Sequence, residues 1–182
     1  WKMGTDGYRY KEGKKLSIVL STTASNRLRE NVQTYIMDQW KKVGVEAISK
    51  NAIARTFFSE LMNHRKFEGT AMFAWTFLPE MPQGKFYHSR SIPSEANGWM
   101  GRNYSGYKNP KLDAMLDKLE VEMSESKRQM IVNQIVDIYV REHITIPLYY
   151  RVDIAVVPKA LKNYNMAGTQ QTESLYVEEW SY

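Results

Sequence analysis

Apolar positions along the chain alternate between dense β-branched runs and helical spacing. Lys15 to Thr22 (KLSIVLST) carries Leu16, Ile18, Val19 and Leu20, apolar on both faces. A central strand covered on both sides reads this way. Ser25 or Asn26 then offers an N-cap, and Leu28, Val32, Tyr35, Ile36, Trp40 and Val43 recur at helical spacing until Gly44 stops the pattern. Val45 to Ile53 returns to strand character. Strand, helix, strand is a βαβ unit, so the two strands are expected to be parallel with a right-handed crossover. A second crossover follows, with a shorter helix marked by Phe57, Phe58, Leu61 and Met62 and an apolar strand from Gly69 to Phe77.

Two helices come later. Asn109 and Pro110 supply an N-cap and a first-turn proline, and Leu112, Met115, Leu116, Leu119 and Met123 form a buried stripe. Ser126 and Gln129 have the spacing of a capping box for the next helix, whose stripe is Ile131, Ile135, Ile138 and Tyr139. Ile144 to Val157 is extended, and Pro147 within it favours an edge strand or a bulge. The remainder to Tyr182 is irregular apart from a short aromatic run, Leu175 to Trp180. Residues 1–15, with turn dipeptides Asp6-Gly7 and Glu12-Gly13, read as a hairpin or ordered arm. The fold class these elements predict is α/β, an open and mostly parallel sheet flanked by helices.

Between the second crossover and the later helices lies residues 78–107, LPEMPQGKFYHSRSIPSEANGWMGRNYSGY. A connection this long is uncommon in a compact domain and usually carries function. Its aromatic residues argue against a disordered linker. In open parallel sheets ligands sit beyond the carboxyl ends of strands, and this loop follows such an end. Trp75, Trp99, Tyr104 and Tyr107 offer flat apolar area with polar tips, Asn97, Arg102 and Asn103 offer donors, and Glu80 offers an anionic acceptor. Aromatic walls with a few fixed polar groups suit a small organic ligand, and an acid with an arginine suits a zwitterion. Each residue also has a plain structural role open to it: Trp75 as core, Asn97-Gly98 as a tight turn, Glu80 as a solvated charge, Arg102 as a pin on loop carbonyls.

Composition narrows the classes. The chain has 182 residues, a net charge of +5, 25% charged and 13% aromatic residues, and no cysteine. Disulfides, thiolate nucleophiles and thiolate metal sites are thereby excluded. Lys and Arg alternate with Asp and Glu, as in KLDAMLDKLEVE, which is the pattern of solvated helix faces; no clustered basic stripe marks a nucleic-acid interface. His64, His88 and His143 lie in different elements without metal-ligand spacing, so no metal is expected. No GxSxG elbow or phosphate-cradling loop is present, and GRNYSG at 101–106 lacks the lysine and the strand-then-helix context. No catalytic residue and no cofactor is assigned. No window approaches the roughly eighteen uninterrupted apolar residues that cross a bilayer. The start, WKMGTDG, has neither the basic nor the apolar region of a signal peptide, so the expectation is that the chain begins elsewhere than a secretory start.

The order of segments resembles the carboxyl-terminal lobe of the family 5 extracellular solute-binding proteins, which deliver oligopeptides, dipeptides and related solutes to ABC transporters. The resemblance covers nearly the whole chain. It is carried by DGYRYKEGKKLSIVLSTTASNRLRENVQTYIMDQWKKVGVEA, by MFAWTFLPEMP, by HSRSIPSEANGWMGRNYSGYKNPKLDAMLD and by KRQMIVNQIVDIYVREHITIPLYYR. It implies one lobe of a two-lobed, periplasmic-binding-protein-like (type II) fold, with residues 1–182 as a single carboxyl-terminal lobe of a longer receptor. It further implies a periplasmic or extracellular location, attachment to the membrane through a permease or lipid anchor outside the chain, and closure around a solute without catalysis. The implied partners are a small solute, a peptide first, together with the amino-terminal lobe and the membrane permease. In dipeptide-type relatives an aspartate shortly after the Trp-Thr of the middle strand holds the ligand's amino terminus. Here Trp75-Thr76 is followed by Phe77-Leu78-Pro79-Glu80, a departure that leaves the ligand class open.

The ligand-binding residues expected are therefore Trp75, Thr76, Glu80, Asn97, Trp99, Arg102, Asn103, Tyr104 and Tyr107. Two other classes remain open at this point. One is a peptide or sugar hydrolase with Glu80 and either Asp113 or Glu95 as acid and base. The other is a protein-interaction module that docks a partner on its aromatic loop.

Overall fold

The computed structural model describes residues 1–75, 84–152, 154–167 and 172–182, and for Lys85 the backbone alone. Three short strands open the chain: β1 (Lys2–Met3), β2 (Arg9–Lys11) and β3 (Lys14–Lys15), paired antiparallel in that order. Asp6 holds the first turn by accepting from the Tyr8 backbone N–H at 3.2 Å and the Tyr10 hydroxyl at 2.8 Å. This small sheet is tied to the rest of the fold. Arg9 donates from its backbone N–H to the Gly44 carbonyl and from Nε to the Val43 carbonyl, both at 2.7 Å, and Lys15 Nζ reaches Glu46 at 3.1 Å.

The second sheet is parallel, with β4 (Ser17–Ser21) between β5 (Glu46–Ser49) and β6 (Thr70–Ala71). Its registers pair Ser17 with Glu46 and Leu20 with Thr70. The β-branched run at 15–22 thus takes the central position that its two apolar faces predict. Helix α1 (Arg27–Lys42) makes the crossover. The Asn26 side chain accepts from the Arg29 N–H at 3.1 Å, and the helix ends into Gly44 at φ +81°, where a Cβ would strike Met3 and Arg9. The inward face of α1 is displaced from the expected stripe: Leu28, Tyr35 and Val43 are exposed, while Gln33 is buried. The reason is a hydrogen-bond requirement. Gln33 Nε2 donates to the Leu20 carbonyl at 2.6 Å and to Asn51 Oδ1 at 2.8 Å, and Asn51 returns a bond to Gln33 Oε1 at 2.8 Å. Polar groups at a strand end must be matched before apolar ones can be buried.

The second crossover is a single α-turn, α2 (Ala54–Thr56), that runs into a π-helix over Phe57–Met62. Phe57 and Met62 are fully buried, and Phe58, Phe73 and Trp75 pack around them. The apolar run from Gly69 is paired only over Thr70–Ala71, extended by a bond from the Met72 N–H to Ser21 at 2.8 Å. The expected strand is shortened because Phe73 and Trp75 leave the sheet for the aromatic cluster, and Phe77 lies outside the described residues.

After α3 (Gly84–Tyr87), helices α4 (Pro110–Val121) and α5 (Glu125–Glu142) form a hairpin around Leu112, Leu116, Leu119, Ile131 and Ile135. Asn109 caps α4 through bonds from Lys111 and Leu112 N–H at 3.0 and 3.3 Å. Two expectations fail here. Met123 is 92% exposed, because the chain leaves the helical path at Glu122. The capping box at Ser126 and Gln129 does not form, because α5 begins two residues earlier, with Ser124 at its cap position. Gln129 Nε2 instead bonds Asn133 at 2.9 Å, and Arg128 clasps the carbonyls of Leu119 and Glu122 at 2.7 and 3.0 Å.

Among the described residues of 144–157 no β-ladder forms, contrary to the edge strand expected there. Every second residue from Ile146 to Val156 is a large apolar one, and these six side chains are between 49% and 97% exposed. The alternation is that of a strand, but no described strand lies alongside to pair with it. The carboxyl-terminal segment folds back on itself, with Lys162 and Ser181 exchanging backbone bonds and Tyr164 against Trp180 at 5.4 Å. Among the described residues, no helix is long and apolar enough to cross a membrane.

Candidate functional site

The chain past β6 carries Trp75 into a cage of rings. Phe73 meets it edge-on at 5.4 Å, Phe86 at 5.1 Å, and Tyr104 stacks on it at 5.9 Å with 22° between planes. Tyr104 is buried, and its hydroxyl donates to Asn63 Oδ1 at 2.9 Å. Burial pushes its phenol up, an effect the nearby Arg102 charge opposes. The guanidinium of Arg102 lies 4.9 Å from the Trp75 ring centre and 5.9 Å from that of Phe86, within cation–π range.

The loop presenting these groups is held by its own polar residues. Asn103 is fully buried, and its Nδ2 lies within bonding distance of the carbonyls of Tyr87, His88 and Tyr107 at 3.0 to 3.2 Å. Asn97 accepts from the Ser94 N–H and donates to the Ile92 carbonyl, both at 2.9 Å. Gly101, at φ +110°, lies so close to the Ser91 carbonyl that no Cβ fits. Between these fixed points Trp99 adopts φ +61°, an uncommon conformation for a bulky residue, and lies against the His64 ring at 4.7 Å, tilted by 51°.

Behind the loop, a charged seam fastens it to α4. Asp113 accepts from the backbone N–H and hydroxyl of Ser89 at 2.9 and 2.5 Å, and Arg90 pairs with Asp117 at 2.6 Å and with Glu120 at 3.0 Å. His88 is buried, with Nδ1 accepting from the Arg90 N–H at 3.0 Å and Nε2 facing Asp117 at 3.3 Å. Desolvation pulls the Asp117 carboxyl up, and its contacts with His88 and Arg90 outweigh this, leaving it below the ordinary value.

These elements enclose an open cavity of about 540 Å³, walled by Phe58, Asn63, Trp75, Trp99, Arg102 and Tyr104, with Met100 and Gly101 at its lip. The volume falls in the range typical of small-ligand sites, and the wall is aromatic with few polar groups. Of the residues expected from the sequence, the fold brings Trp75, Trp99, Arg102 and Tyr104 together. Asn97 and Asn103 are engaged within the loop, and Tyr107 packs on the helical hairpin, its hydroxyl accepting from Asn109 at 2.8 Å. Thr76 and Glu80 lie outside the described residues. The sequence reading missed Phe58 and Asn63. The Phe57-Phe58 pair was the available signal, since one helix position cannot bury two adjacent large rings to the same depth. Asp113 is occupied by Ser89, and Glu95 is an exposed residue opening a short turn.

The fold is α/β, that of one lobe of a two-lobed type II binding protein, and comparison with known proteins agrees. No family model matches the chain. In sequence it is 28% identical over 186 residues to the oligopeptide-binding protein AppA of Bacillus subtilis, an alignment covering 99% of this chain and 32% of AppA. In structure it is similar to an oligopeptide-binding protein of Thermus thermophilus solved with a pentapeptide, at TM-score 0.77 and 27% identity over 90% of this chain and 30% of that one. AppA solved with a nonapeptide shares the fold at TM-score 0.75 and 24% identity, over 99% of this chain and 34% of that one. These likenesses bear out the resemblance to the family 5 extracellular solute-binding proteins. The chain spans about a third of the length of the relatives it matches.

Proposed function

We propose that this chain is the carboxyl-terminal lobe of an ABC-importer receptor that binds peptides by closing two lobes around them, without catalysis. The observation that carries the reading is the open cavity, with its aromatic wall and one guanidinium. A ligand there would touch one wall only, so affinity would come from contacts completed when a second lobe closes. Trp75, Trp99, Arg102 and Tyr104 would meet the ligand directly. Asn97 and Asn103 would hold the rim in shape, Tyr107 would brace it against the helices, and Thr76 and Glu80 would complete the mouth, Glu80 opposite the ligand's amino terminus.

The strand-like run at 146–156 supports the same architecture. Its apolar face is too extensive to leave in water, and a sheet of the amino-terminal lobe is the natural cover. The receptor would work outside the cytoplasmic membrane, in the periplasm or at the cell surface, with a permease as its membrane partner.

Titration calorimetry with a peptide library tests the reading. The isolated 182-residue chain is expected to bind weakly or not at all, and the complete receptor tightly. Micromolar binding by the isolated chain would defeat the two-lobe argument. Turnover of peptide or sugar substrates would instead favour a hydrolase.

A further inference from the structure

Arg102 is the cationic member of the cavity wall. Among the described residues its guanidinium has no carboxylate partner; the lysine and arginine ion pairs there belong to Lys15, Lys50, Arg90 and Arg141. Its described neighbours are the faces of Trp75 and Phe86. A ring face engages the plane of a guanidinium and leaves its N–H edge free. The rings are themselves fixed, Trp75 between Phe73, Phe86 and Tyr104, and the backbone beside Arg102 is pinned by Asn103 and by the Ser91 carbonyl. The exposed Arg102 side chain rests on these two rings, and its forked donors match the two oxygens of a planar carboxylate.

We infer that Arg102 is the specificity-determining group of the site and takes a carboxylate of the ligand, so that the receptor prefers acid-bearing peptides. The inference rests on the peptide-binding reading above. The carboxylate can come from the peptide's carboxyl terminus or from an Asp or Glu side chain, and the two sources are separable. Arg102 is exposed in this chain, so the rings beside it would lower the local polarity, and strengthen a paired charge, only once a second lobe closes over them.

The test uses the complete receptor and calorimetry with two probe pairs: polyalanine peptides of several lengths as free acids and as carboxyl-terminal amides, and amidated peptides containing one Glu or one Gln. In the natural receptor, at least one pair is expected to differ by about tenfold or more in affinity, the yield of one charge-assisted bond. Arg102→Gln should erase that difference, whatever it does to the affinity of both members. A difference in the first pair assigns the carboxyl terminus, and one in the second assigns the side chain. Arg102→Lys, which keeps the charge but loses the fork, should retain only part of it; this variant decides the matter if the glutamine variant misfolds. Equal affinities within both pairs in the natural receptor would overturn the inference, as would a difference that survives Arg102→Gln. A natural receptor that binds none of these peptides defeats the peptide reading itself, a result distinct from either of those.

Discussion

Two irregular segments of this molecule rich in large apolar side chains, residues 84–107 and 144–157, have opposite fates. In the first, nearly every group is answered within the chain. Phe86, His88, Ile92, Asn103 and Tyr104 are buried, and the loop carbonyls are collected by Asn97 and Asn103. In the second, six alternating apolar side chains face water, with no described ladder beside them. Irregular backbone can be rigid when side chains take over the bonding that a helix or sheet would supply. Strand-like sequence can stay unpaired when its sheet lies elsewhere. The loop carries its own scaffold, whereas the strand-like run requires one.

Breaking the loop's polar clamp should have the largest effect. Asn103→Ala strips the shared donor from three loop carbonyls, that of His88 buried, and is expected to cost about 3 kcal/mol in urea unfolding, with weakened ligand affinity in the complete receptor. A cost near zero would mean that the loop is held by its rings rather than by its amide. Gly101→Ala comes next. Its Cβ would strike the Ser91 carbonyl at a φ that alanine rarely adopts, and a loss of about 2 kcal/mol is expected.

A pH series sharpens the loop side further. Burial, with a smaller contribution from Tyr139, raises the Tyr87 phenol above the ordinary tyrosine value of 10.0. The folded state therefore favours the protonated phenol. The stability it contributes is fully present below pH 10.0 and is lost as pH rises beyond it. Urea midpoints should fall above that pH, and Tyr87→Phe should flatten the decline. An unchanged slope in the variant would show that other groups set the alkaline limit.

The smallest effect belongs to the second segment. Val152→Thr and Ile154→Thr remove apolar groups that nothing described covers, so the isolated chain should change by less than about 0.5 kcal/mol while becoming more soluble. In the complete receptor the same substitutions should cost about 1 kcal/mol each, because there the side chains would be buried. A large loss already in the isolated chain would break the comparison, since it would mean that the segment is packed within this fold.

The local signals were legible where one segment contains its own answer. The β-branched run at 17–21, the Asn26 cap, the Gly44 stop and the Asn109-Pro110 start follow from steric and hydrogen-bonding rules acting over a few residues. The position of the loop after an apolar strand, and four of the residues that wall the cavity, were readable for the same reason. The failures share another cause. Gln33 turned inward because of Leu20 and Asn51, Asn103 turned away from the cavity because of three carbonyls, and Met123 left its stripe because the helix stopped short. The partners of Gln33 lie on other elements, and two of the three Asn103 partners lie 15 and 16 residues away.

By itself, then, the sequence determined the βαβ order, the absence of cysteine chemistry and the aromatic character of the rim. Those depend on residue type and short-range periodicity alone. Only the tertiary structure decided which polar side chains hold the rim and which face the cavity, and that the run at 146–156 has no described partner strand. A hydrogen bond or a buried face is a property of two segments at once, and their meeting is set by how the whole chain packs.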